Sequence, residues 1–132
     1  MSLSYLAEAA TAVADTLAET FTGSGVSVYR VTDPGYAQLT PPCVAVDAPT
    51  VDEWAGYHSG QAIASMSVPV RILPRSSDAG AQLVALTDAA LSAIHAADGL
   101  QLASAQPAVA GTGQGITSPL PTYLLSVSVT VR

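Results

Sequence analysis

Apolar residues recur at Leu6, Ala10, Val13, Leu17 and Phe21, while Glu8, Thr11, Asp15 and Glu19 take the opposite side. These steps of three and four predict an amphipathic helix from about Ser4 to about Thr22. Ser2 or Ser4 would cap its start, and Gly23 and Gly25 would stop it. The period then changes. Val26–Val31 is rich in β-branched and aromatic residues and closes on the turn signal Asp33-Pro34-Gly35. Pro41-Pro42 leads into a second short strand, Cys43–Val46. Between Ile63 and Leu73, Met66, Val68, Val70 and Ile72 alternate with Ser67, Pro69 and Arg71, the pattern of a half-buried antiparallel strand. Pro69 has no N–H for a ladder and is expected at an edge or a bulge. The stretch 47–60 holds Pro49, Gly56 and Gly60 without a sustained period and reads as a long loop, functional or mobile.

A second helix is predicted after the caps Ser76-Ser77-Asp78, with the stripe Leu83, Leu86, Ala90, Ile94 and Ala97, ending at Gly99. Its other side is smooth, with Ala81, Ala85, Ala89 and Ala96, which would let a helix or another subunit come close. The last third reads as a hairpin. A strand near Leu100–Val109 precedes the flexible tip Gly111-Thr112-Gly113-Gln114-Gly115. Tyr123, Leu125, Val127, Val129 and Val131 then alternate with Leu124, Ser126, Ser128, Thr130 and Arg132. The order is α-β-β-β-α-β-β without a solenoid repeat. It predicts one α+β domain over residues 1–132, an antiparallel sheet with helices packed on it.

Composition narrows the function classes. The 132 residues are 49% hydrophobic and 11% charged, enough for one buried core. There is no Lys and no Asn, and ten acidic against four basic side chains give a net charge of -6. Tight binding to phosphate backbones is therefore not expected. The apolar runs are too short to span a bilayer, and Glu8 with no basic residue near the start argues against a cleaved secretion signal. A single cysteine, Cys43, excludes an intrachain disulfide and a multi-cysteine zinc site. A surface of Ser, Thr, Gln and Ala is easily desolvated, so self-association is expected.

The chemistry-bearing residues point away from catalysis. Ser92, His95 and Asp98 fall three apart on the second helix, like a nucleophile, base and orienting carboxylate. A serine inside a helix has its neighbouring N–H groups committed to i−4 carbonyls, which leaves no oxyanion hole. A solvated face is expected there. Asp52, Glu53 and His58 share the 47–60 stretch but have no recognised ligand spacing, so no metal is expected. The glycines at 111, 113 and 115 match neither a dinucleotide fingerprint nor a phosphate loop, and no cofactor is expected. Cys43 lies in an apolar strand and reads as a buried, inert thiol. Trp54 and Tyr57, two of only seven aromatics, sit in the 47–60 stretch either as a lid over the core edge or as contact residues. Tyr36 is a weaker candidate of the same kind.

Over nearly its whole length the chain resembles the tail terminator proteins of long-tailed, siphophage-type bacteriophages. The resemblance runs through the N-terminal helix, Val26-Ser27-Val28-Tyr29-Arg30-Val31, Pro42-Cys43-Val44-Ala45-Val46, Ser67-Val68-Pro69-Val70-Arg71-Ile72-Leu73, the helix over 78–97 and the C-terminal Ser/Val strand. Head–tail joining and minor tail proteins share this degenerate pattern. The resemblance implies a non-enzymatic virion subunit, assembled in the host cytoplasm into a homo-oligomeric ring, commonly a hexamer. One face would meet the tail tube protein and the other the head–tail connector, and DNA would pass through without tight binding. Exposed strand edges would invite sheet extension between subunits. Candidate interface residues are Tyr36, Trp54, Tyr57 and His58, with Gly113 and Gln114 in the 111–118 tip. The alternative is a small-ligand or peptide-binding α+β domain without catalysis, using the Ser/Thr-rich face of the sheet.

Overall fold

The computed structural model describes residues 5–58 and 61–131, with side chains described over 6–52 and 65–130. Helix α1 spans Tyr5–Thr20 and helix α2 spans Gly80–Ala96. The strands are β1 (Ser27–Arg30), β2 (Cys43–Val46), β3 (Thr50–His58), β4 (Gln61–Leu73), β5 (Leu100–Ala110) and β6 (Leu120–Val131). The class is α+β, with both helices packed on one face of a six-stranded sheet.

The alternation in β4 and β6 builds the core. Met66, Val68, Val70 and Ile72 of β4 and Leu125, Val127 and Val129 of β6 all point to the helix side and are buried. From β2, Val44 and Val46 join them. The helices answer with Ala10, Val13, Leu17 and Phe21 from α1 and Leu83, Leu86, Ala90 and Ile94 from α2. Each large aliphatic side chain buried this way contributes about 1.5–3 kcal/mol. Leu6, the first residue of the expected α1 stripe, is exposed, and Ala9 and Ala14 complete the buried stripe instead. After α1, Gly23 and Gly25 adopt φ of 77° and 80°, the left-handed region in which glycine carries no Cβ penalty.

The sheet order is β1-β2-β4-β6-β5, with β3 paired to β4. β1 lies parallel to β2, with Ser27 opposite Cys43, so the sheet is mixed and not wholly antiparallel as expected. The other pairings are antiparallel. The stretch expected as a loop over 47–60 is mostly strand, with residues 59 and 60 outside the described residues. Residues 50–58 form β3, which continues the line of β2 along one edge of β4 after a break at Asp47-Ala48-Pro49.

That break explains Pro69, which lies in the interior strand β4 rather than at an edge. Its carbonyl accepts the Asp47 N–H at 2.9 Å, so its missing donor faces the junction between β2 and β3, where the ladder is already interrupted. The expected caps of α2 also differ. The helix begins after Ala79, whose side chain offers no cap, and the Ser76 carbonyl accepts the Ala79 N–H at 3.1 Å in a turn before it. No helix among the described residues is long and apolar enough to cross a membrane.

Candidate assembly surfaces

The face of the sheet turned away from the helices has two unlike ends. At one end the apolar residues Cys43 and Ala45 of β2, Leu73 of β4 and Leu120 of β6 need cover. They receive it from a 3-10 turn at Pro34–Ala37 with the following Leu39, and from Ile116 in the turn after β5. Both covering segments are pinned by polar contacts. Asp47, just beyond β2, is held by Arg71 of β4 through Nε to Oδ2 and a terminal nitrogen to Oδ1, both at 2.8 Å. The Tyr36 hydroxyl donates to Asp47 Oδ1 at 2.5 Å, and the Arg71 guanidinium lies 5.9 Å from the Tyr36 ring centre.

The second segment is latched to the first. Gln114 Nε2 donates to the Tyr36 carbonyl at 2.9 Å, and the Leu39 N–H donates to the Gln114 carbonyl at 2.6 Å. Gly113 and Ile116 bridge across the turn. Gly115 has φ of 83°, and a Cβ there would meet Gln38 Cγ at 2.8 Å, so glycine is required on both grounds. The 111–118 segment is therefore not a flexible tip. Its glycines provide tight turning and close approach to the Gln38–Leu39 backbone.

At the other end the same face is open and hydroxylic. Ser65 and Ser67 of β4 stand beside Ser128, Thr130 and Ser126 of β6, with Gln101, Ser104 and Gln106 of β5 further out. Asp52 on β3 accepts a hydrogen bond from the Ser67 hydroxyl. No charged residue occurs from 99 to 131. Every residue of β5 from Gln101 to Pro107 is exposed, and Val109 is 71% exposed, so this outer strand shows an uncharged surface on both sides.

The free edges are blunted. Pro69 points its backbone polar group at the β2 side, so its partner Ser126 turns towards β5, as do Leu124 and Thr122 along the same ladder. Pro107, opposite Tyr123, therefore directs its nitrogen to the free edge, where a donor is missing. A register shift interrupts β5 between Leu102 and Ser104, and two more interrupt β3. β1 has only four residues. These devices disfavour backbone pairing with another chain at the interrupted positions.

The six candidate interface residues divide into two groups. Tyr36, Gly113 and Gln114 meet in the latch just described. Trp54, Tyr57 and His58 lie on β3, where their backbones pair with Ala64, Ala62 and Gln61, and their side chains fall outside the described residues. Glu53 of the weighed metal set is in the same position. Ser92, His95 and Asp98 are all exposed and no hydrogen bond joins them. The Cys43 thiol is buried and desolvation pushes it up to about 12, which keeps it protonated. Burial, with the hydrogen bond and charge of Asp47, raises Tyr36 above the usual tyrosine value. Burial works against the Arg71 charge, but the hydrogen bond and charge of Asp47, with the Tyr36 hydroxyl, outweigh it and raise Arg71 above the usual arginine value.

The sequence reading missed the Arg71–Asp47 pair. Its signal was a lone arginine on the outward positions of β4, a strand otherwise free of charge. No protein-family model matches the chain, and no curated protein matches it in sequence.

Proposed function

We propose that this chain is a non-enzymatic structural subunit that forms a ring closing a phage tail tube and joining it to the head-side connector. The observation that carries the reading is the outer strand β5, exposed on both faces and without a charge, a surface that contact with other subunits would dry at little desolvation cost. Val84 on α2 and Leu102 and Val109 on β5 add exposed apolar area on the helix side of that strand. The blunted edges direct contacts through side-chain faces. A net charge of -6 suits a conduit through which a duplex slides without sticking. Tyr36, Gly113 and Gln114 shape one end of the sheet, and the β3 arm with Trp54, Tyr57 and His58 is the segment assigned to the adjoining ring.

Sedimentation velocity and electron microscopy of the purified chain test this directly, with closed rings as the expected result. Trp54→Ala with Tyr57→Ala is expected to leave the protomer folded and to reduce capping of isolated tail tubes. Protomers at every concentration, with no capping, would overturn the reading.

The open hydroxyl end of the sheet supports a second reading, a small-ligand or peptide-binding domain. A monomer whose Ser67 and Ser128 resonances move on adding a peptide would favour it over the ring.

A further inference from the structure

Beside the latch, Arg75, Ser76 and Ser77 after β4 face Thr117 and Ser118 before β6 across a cleft of about 320 Å³. Four hydroxyls ring it, the buried side chains of Ile116 and Leu120 lie along its floor, and no acidic residue lines it. Arg75 is also the one arginine among the described residues without a carboxylate, since Arg30 holds Asp33 and Arg71 holds Asp47. In an acidic chain this is an unusual arrangement. Eight of the ten carboxylates lie outside those two pairs.

We propose that the Arg75 cleft is a carboxylate-binding site filled by an acidic side chain of a second copy of this chain. The inference rests on the ring reading and names a contact that such a ring uses. Copies carrying -6 each repel one another, a cation set against an acid at their interface offsets part of that repulsion, and Arg75 is the described arginine without a carboxylate partner. A guanidinium takes a carboxylate through two parallel N–H bonds, and serine and threonine hydroxyls supply the remaining donors. The apolar floor removes water from one side of the pair and strengthens it.

The test is self-association of the full chain by sedimentation, with Arg75→Gln and Arg75→Lys beside the native chain. Arg75 is exposed, and its backbone N–H, not its guanidinium, bonds Gln82 Oε1, so both variants are expected to keep the native circular dichroism. Arg75→Gln is expected to weaken association on the order of thirtyfold, with Arg75→Lys between it and the native chain. Association of Arg75→Gln equal to that of the native chain would overturn the cleft contact and leave the ring standing. A native chain that never associates would overturn the ring itself, and the cleft contact with it.

Discussion

The two faces of this sheet are built from the same strands and solve different problems. On the helix side, the inward residues of β2, β4 and β6 are aliphatic and packed dry beneath α1 and α2. On the other side, apolar residues occur only near Cys43, Leu73 and Leu120, and there the chain has folded two short segments over them and fastened both through Tyr36, Asp47, Arg71 and Gln114. Beyond that point the residues are mostly serine, threonine and glutamine, and no described side chain packs over them. Cover follows the apolar residues along the strands, position by position. Non-directional burial holds one face, and directional polar bonds hold half of the other.

Substitutions on the two faces should therefore differ in size and in pH dependence. Leu125→Ala on the helix side is expected to cost about 2–5 kcal/mol in urea unfolding, because it empties a fully buried site. Asp47→Ala on the other face is expected to cost about 2 kcal/mol, since it leaves the half-buried Arg71 without its partner and releases Tyr36. A loss as large as that of Leu125→Ala would mean that the latch carries as much of the fold as the core.

The latched end also sets an alkaline limit. Tyr36 and Cys43 both have folded values above their unfolded ones, 10.0 and 9.0, so their contribution is complete below about pH 9. It is lost as pH rises through the folded values. Urea midpoints are expected to fall across that range, with a shallower fall in Tyr36→Phe. An unchanged slope would show that the Tyr36 hydroxyl is not held as described.

Smaller effects sharpen the contrast. Thr87 is 4% exposed and its hydroxyl is buried with no hydrogen-bond partner, a defect in the dry face. Thr87→Val is expected to stabilise by about 1 kcal/mol, read as a higher midpoint. Ser128→Ala, on the open end, is expected to change stability by less than about 0.5 kcal/mol. A large loss there would mean that the open end is covered in solution.

The sequence made the helix face legible and the other face only partly so. The α1 and α2 stripes and the alternation through β4 and β6 are sustained signals, and they named most of the core. β3 escaped because register shifts between Val51 and Glu53 and between Trp54 and Gly56 break its period of two, and Pro49 and Gly56 imitate loop residues. The parallel pairing of β1 with β2 left no local mark, since register between distant segments is not written in either one alone. The latch escaped for a similar reason. Arg71 and Asp47 are 24 positions apart, and Gln114 is 78 positions from Tyr36. The sequence offers Tyr36, Gly113 and Gln114 as separate candidate contact residues, and the fold brings them together as a fastening.

The proline at position 107 has a consequence for how large any assembly of this chain grows. A sheet whose outer strand offers an unbroken row of donors and acceptors recruits copies without limit, and the product is a fibre. Here that row lacks a donor at Pro107 and shifts register between Leu102 and Ser104. Addition strand by strand is thereby disfavoured, and in the ring proposed above the number of protomers would be set by the angle between their side-chain surfaces, which a closed circle satisfies with a fixed count.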